Sequence, residues 1–183
     1  MRERMLAGEL YLADDPEIAR ELDRAASLTH QLNNMDPTDA AARRKLLTEL
    51  LGAFGEGSEI RPPLRCDYGY QTFIGARCFV NFGLISLDVA AVTIGDDVMI
   101  GPNVQLLTAT HPVAAGLRRS KWEAAKPITI GDNVWLGGGV IVCPGVTIGA
   151  NTVVGAGSVV LRDLPPDVVA VGNPARIVRP VEP

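Results

Sequence analysis

Aromatic residues are scarce in this chain, at 5% of its 183 positions, so its interior must be filled mainly by aliphatic side chains. Histidine is scarcer still. His30 and His111 are the two present, they lie in different regions, and the usual three-histidine zinc set is therefore missing. The cysteines Cys66, Cys78 and Cys143 are odd in number and lack metal-site spacing; Cys78 and Cys143 read as buried small hydrophobes. No apolar run reaches the ~18 residues of a membrane span, and the first ten residues show no secretory signal pattern. The net charge of −4 carries no basic footprint for nucleic acid. These absences describe a reduced, soluble, cytoplasmic protein with neither a membrane nor a nucleic-acid partner. A hydrophobic content of 47% in a chain of this length suits one domain with a sizeable core.

What the chain has in abundance is a period of six. In 130–165 an aliphatic residue recurs at Ile130, Leu136, Val142, Ile148, Val154 and Val160. Glycine follows it at Gly131, Gly137, Gly149 and Gly155, and a small or β-branched residue sits four places on at Val134, Val140, Val146, Thr152 and Ser158. Neither the 3.6 of an α-helix nor the 2 of a hairpin gives this repeat. It is the hexapeptide signature of a parallel β-helix, in which each hexapeptide supplies a short strand and a turn, and three close one triangular coil. The aliphatic residue points inward, the small residue fits the corner, and glycine is expected to supply the turn's backbone angles.

Residues 1–57 read differently. Asp14 or Asp15 caps a helix that opens at Pro16, with Ile18, Leu22, Ala25, Leu28 and Leu32 on one face. Thr38 or Asp39 caps a second, carrying Leu46, Leu47, Leu50 and Leu51. We read 1–57 as a two-helix cap on the open end of a β-helix spanning 58–183. From Ile74 and Val80 the period begins, slips by two residues around 86–91, and resumes at Ile94, Ile100 and Leu106. The next regular position is Ile130. Counting on by sixes would place Arg118 in a dry aliphatic interior, which is very costly. The segment 109–127 is therefore expected to leave the wall as a loop carrying His111, and long loops inside compact repeats are often functional. After Val160, Pro165-Pro166 stops the winding and 168–171 is expected to form a returning strand. On these grounds His111 is open between a general base and an ordinary loop histidine, and His30 reads as a surface or cap residue.

The motifs MLAGELYLADDPE, RPPLRCDYGY, TFIGARCFVNF, TIGDDVMIGPNV, THPV, KPITIGDNVWLGGGVIVCPGVTIG, VVGAGSVV and GNPARIVR run from end to end of the chain. In them the sequence resembles the maltose/galactoside O-acetyltransferase family of hexapeptide acyltransferases. The resemblance implies a mainly β fold of left-handed hand. It implies a homotrimer with active sites between subunits, and transfer of an acetyl group from acetyl-CoA to a sugar hydroxyl without a metal. By the same resemblance His111 is the general base. Asn81, Asp14, Asp67 and Asp88 face the acceptor, with Asp15 competing for the place of Asp14. The acceptor is expected to be glucose- or maltose-like, with a galactoside as the other candidate. Gly138, Ala156, Leu161, Arg162, Arg176 and Arg179 match contact positions for the CoA. Gly138 stands where some relatives have serine, which leaves only its backbone N–H for an oxyanion. Trp135 is expected to pack near the CoA groove or a subunit contact. The competing reading is a non-catalytic trimeric scaffold of the same fold.

Overall fold

From Ala53 onward the chain is a succession of strands two to five residues long separated by turns and, at Ala115–Arg119, by one short helix. The computed structural model, which describes residues 1–182, winds them into a parallel β-helix of about six turns. The strands stack into three faces. The first face holds Ala53–Phe54, Thr72–Ile74, Val92–Ile94, Ile128–Ile130 and Thr147–Ile148. The second runs from Glu59–Ile60 through Phe79–Val80, Met99–Ile100, Trp135–Leu136 and Val153–Val154 to Val168–Val171. The third holds Leu64–Cys66, Leu84–Leu87, Gln105–Leu107, Ile141–Val142 and Val159–Val160.

Parallel register puts like residues over like. Ile74, Ile94, Ile130 and Ile148 form one inward column, and Ile60, Val80, Ile100, Leu136, Val154 and Ala170 a second. Within one coil, Ile130, Leu136 and Val142 meet at the centre, each no more than 1% exposed. The outward columns differ from face to face. The first shows Phe73, Thr93, Thr129 and Thr147, the second Glu59, Phe79, Met99, Trp135 and Val153, and the third Arg65, Ile85, Gln105, Ile141 and Val159.

The glycines after each aliphatic residue have a different cause from the one expected. The left-handed residues of the turns are others, such as Asn133, Asn151, Gly139 and Gly157. Gly131 and Gly137 are needed because the next coil lies directly above: a Cβ on Gly137 would sit 2.6 Å from the Ala156 nitrogen, and one on Gly131 2.7 Å from that of Ala150. Backbone stacked this closely cannot step aside. Gly137→Ala is expected to destabilise the fold by roughly 1–3 kcal/mol, read as a lower urea midpoint, whereas Gly116→Ala, with open space around it, is expected to be neutral.

The amino-terminal end is closed by helices α1 (Arg2–Leu6), α2 (Pro16–Asn34) and α3 (Ala40–Leu50). α1 adds a short helix to the two expected. Asp15, not Asp14, caps α2, accepting the Glu17 N–H at 2.8 Å, and it also meets the terminal amine of Met1 at 3.0 Å. Asp39 caps α3 through the Ala42 N–H. Ala25, Leu28, Leu32, Leu47 and Leu50 join the prism core and cover its open end. The first coil strand, Ala53–Phe54, already pairs with Phe73 and Ile74, so coiling begins inside 1–57. At the other end Val168–Val171 is a parallel wall strand, and the antiparallel return is made by Arg176–Pro180. Among the described residues no helix is long and apolar enough to cross a membrane.

Candidate active site

The corner between the third and first faces is where the winding departs from eighteen residues per coil. Ile130 and Ile148 are eighteen apart, but Ile74 and Ile94 are twenty apart. The two extra residues fall at 87–91, where the slip was expected, and an equivalent pair falls at 67–71. In the third coil the same corner opens into 109–127. Three successive excursions at one corner thus gather side chains that the hexapeptide rule does not place.

Asp88 lies at the bottom of this cluster with 0% exposure. Its Oδ1 accepts the N–H groups of Asp67 at 3.1 Å and Tyr68 at 2.9 Å, and its Oδ2 accepts the Thr72 hydroxyl at 3.0 Å. Burial pushes its carboxyl up, against the pull of these donors. This corrects the expectation that Asp88 faces the acceptor: it has no surface to offer and instead holds the turn that presents Asp67. Asp67 is half-buried beside it. Burial first, then the charges of Asp88 and Glu123, raise its carboxyl from the ordinary 3.8 to about 6.

That shift has a definite sign. Below about pH 4 Asp67 is protonated in folded and unfolded chains alike. Between about 4 and 6 the unfolded chain loses the proton first, so Asp67 destabilises the fold increasingly as pH rises, and above about 6 the penalty is constant. Asp67→Asn is expected to be relatively more stable above pH 6 than at pH 4, by at most about 3 kcal/mol at ~1.4 kcal/mol per pKa unit. Urea titrations of the two proteins from pH 4 to 7 read the difference, and a flat difference curve would contradict the raised carboxyl.

The 109–127 excursion is a hairpin. Ala109–Thr110 pairs antiparallel with Trp122–Ala125, and helix α4 (Ala115–Arg119) lies between them. The returning strand also pairs with Tyr11–Leu12, giving a three-stranded sheet that ties the amino terminus to the loop. His111 follows the first hairpin strand, exposed, with its Nδ1 3.5 Å from the Trp122 carbonyl oxygen. Long hydrogen bonds of this kind are common in catalytic groups without substrate. A proton on Nδ1 directed at that carbonyl leaves the Nε2 lone pair outward. Asp14, exposed and uncommitted to the α2 cap, precedes that helix just after Tyr11–Leu12, whereas His30 is an exposed residue of α2.

Asn81 lies elsewhere. It follows Val80 at the corner between the second and third faces, in a column that continues as Gly101, Gly137 and Gly155. Its φ is not left-handed; instead its Oδ1 accepts the Phe82 N–H at 2.8 Å, leaving Nδ2 as the donor for a ligand. Gly138 and Ala156 stack at the same corner. The N–H groups of Gly137 and Gly139 are taken by Val154 and Pro102, while that of Gly138 has no acceptor among the described residues. Leu161, 55% exposed, and Arg162 return to the corner of His111. Arg176 and Arg179 stand exposed on Arg176–Pro180.

One chain therefore brings His111, Asp67, Leu161 and Arg162 to one corner and Asn81, Gly138 and Ala156 to another. The third face lies between them, and its strand Leu84–Leu87 alone spans ~13 Å at ~3.3 Å per residue. The residues that the sequence left unremarked are Tyr11 and Glu123, whose side chains bond at 2.9 Å, and Tyr70, whose hydroxyl donates to Glu21 at 2.7 Å. No local signal marks the Tyr11–Glu123 pair, since its members are separated by 112 positions.

Comparison with known proteins gives a consistent likeness along the whole chain. Residues 4–55 match the maltose acetyltransferase hexapeptide capping motif, and residues 127–162 match the bacterial transferase hexapeptide of six repeats. A maltose O-acetyltransferase from Clostridium difficile is 46% identical, with a TM-score of 0.98 covering 100% of this chain and 97% of that one. A hexapeptide-repeat acetyltransferase from Vibrio cholerae, solved with acetyl coenzyme A, is 41% identical, with a TM-score of 0.93 covering 99% of this chain and 98% of that one. The galactoside O-acetyltransferase of Escherichia coli is 41% identical over 99% of this chain and 89% of its own length.

Proposed function

This chain belongs to the maltose/galactoside O-acetyltransferase family of hexapeptide acyltransferases, and from that premise we propose that it transfers the acetyl group of acetyl-CoA to a hydroxyl of a glucose- or maltose-like sugar, with a galactoside as the alternative acceptor. The observation that carries the reading is the setting of His111: an imidazole on the one large excursion of the wall, with Nδ1 facing a backbone carbonyl and Nε2 left to act as base. In the proposed step Nε2 takes the proton of the acceptor hydroxyl as its oxygen bonds to the thioester carbonyl carbon. The carbonyl electron pair moves to oxygen, where the uncommitted Gly138 N–H would stabilise the oxyanion. Collapse breaks the C–S bond, and the imidazolium returns its proton to the departing thiolate.

The two separated corners fit this chemistry if they come from different copies of the chain. His111, Asp67 and Asp14 of one copy would face Asn81 and Gly138 of the next across a cleft, with a homotrimer closing three such clefts. The run Phe79, Met99, Trp135 and Val153 on the second face supports association, since Met99 and Trp135 are 50% and 51% exposed. Asn81 Nδ2 and the Asp67 carboxylate would bind sugar hydroxyls as donor and acceptor. Ala156 and Leu161 would line the pantetheine arm, and Arg162, Arg176 and Arg179 would meet the phosphates of the CoA. The three free cysteines suit a reducing compartment such as the cytoplasm.

The test is thioester cleavage with acetyl-CoA across a panel of glucose, maltose, galactosides and chito-oligosaccharides, on protein whose oligomeric state is measured in parallel. Turnover with glucose or maltose is expected. Absence of turnover with every hydroxyl acceptor would leave the scaffold reading in its place.

A further inference from the structure

Tyr11 heads the largest fully buried side chains, at 1% exposure, and no step of the proposed transfer uses it. It is enclosed by Met5, Ile18, Tyr68, Val89 and Ala125. A phenol so enclosed needs a partner for its hydroxyl, and the partner is the Glu123 carboxylate at 2.9 Å. The two residues are directly opposite in the antiparallel pairing of Tyr11–Leu12 with Trp122–Ala125. Burial and the hydrogen bond to Glu123 push the phenol well above its ordinary range, so it stays a donor.

A carboxylate is an unfavourable choice at Glu123. It is half-buried and adds its charge to those acting on Asp67. Core packing alone would be served by an apolar residue there. What the carboxylate does supply is a directional bond to a fully buried residue of the amino-terminal segment. The tip of the excursion has little to hold it: residues 113–121 are exposed throughout, and α4 buries nothing. Its returning strand is the anchor. One residue before Glu123 on that strand is Trp122, paired with Leu12, its ring under the Arg4 guanidinium at 5.6 Å. The Trp122 carbonyl is the atom facing His111 Nδ1.

We propose that Tyr11 and Glu123 form a clasp that positions the base: the amino-terminal segment holds the returning strand in register, and the strand's Trp122 carbonyl thereby fixes the tautomer and orientation of His111. Both are positioning residues, and Tyr11 is too buried to touch any substrate. The proposal rests on His111 being the base.

The experiment uses the full-length protein and the variants Tyr11→Phe, Glu123→Gln, Glu123→Leu and the double variant Tyr11→Phe/Glu123→Leu. Three quantities are read: kcat and KM for acetyl-CoA and acceptor, the thermal midpoint, and the ¹⁵N shifts of the His111 ring. Tyr11→Phe is expected to lower kcat roughly tenfold, the order of effect of a displaced catalytic group. The KM for acetyl-CoA should stay within about twofold, since the CoA-side residues are untouched. The neutral His111 signal should shift from a protonated Nδ1 toward a mixture of tautomers. Glu123→Gln keeps an acceptor oxygen for the phenol and should retain most of the activity. Glu123→Leu should match Tyr11→Phe, and the double variant should be no worse than either single one, as for residues acting through one bond. Unchanged kcat and unchanged His111 shifts in Tyr11→Phe would overturn the clasp, as would a loss of activity only in proportion to lost folded protein. The ring shifts are read without substrate. If wild-type protein acetylates no sugar, they still decide the clasp while the functional reading fails separately.

Discussion

His111→Ala is expected to lower kcat for acetyl transfer by about 100- to 10,000-fold, the usual contribution of a positioned general base. A sugar hydroxyl is a poor nucleophile while it keeps its proton, and no other imidazole stands near: His30 is on α2. The carboxylates at this corner do not substitute for it. Asp88 is sealed among its donors, and the role proposed for Asp67 is to bind the acceptor rather than to take its proton. The KM for acetyl-CoA should change little, because the residues proposed to hold it lie on later coils and on the carboxy-terminal strand. His111 is exposed on a loop, so its removal should leave the thermal midpoint in place. Steady-state kinetics with a chromogenic thiol assay measure this directly, and retention of full activity would remove His111 from the chemistry.

Leu136→Ala is expected to cost about 2–5 kcal/mol of stability, at the scale of buried leucine deletions elsewhere. Leu136 is 0% exposed, with Ile100 below it and Val154 above in parallel register. The prism is narrow, and Ile130 and Val142 complete its layer. Those neighbours cannot slide into the gap, because the strands that carry them are bonded to the coils on either side. Chemical denaturation at fixed protein concentration reads the loss. A change below about 1 kcal/mol would mean that the coils repack freely, contrary to close packing.

The coils were legible because their cause is periodic. An aliphatic residue every sixth position can be buried only by a wall that turns inward every sixth position, and the columns Ile74–Ile148 and Ile60–Ala170 follow. The candidate site was legible only in outline, and for a physical reason. At its corner the period fails, and with it the rule that separates inside from outside. Asp67 and Asp88 carry the same side chain and occupy similar places in successive coils, yet one is half-exposed and the other is sealed beneath it. The glycines show a related ambiguity. The letter at Gly137 is equally consistent with a left-handed turn and with a coil lying directly above, and the second holds. Tyr11 and Glu123 were beyond reach because a cross-strand bond over 112 residues leaves no trace in local pattern.

All three excursions from the regular winding occur at a single corner, while the other two keep the same short turns from coil to coil. Length can therefore be added or removed there without changing the rise of the prism or the register of any column. The scaffold and the proposed acceptor site are thus separable in inheritance. Insertions at 67–71, 87–91 and 109–127 would reshape the proposed acceptor site while leaving intact the stack that keeps the chain folded, so on that reading a new acceptor range can arise by lengthening one edge of the molecule.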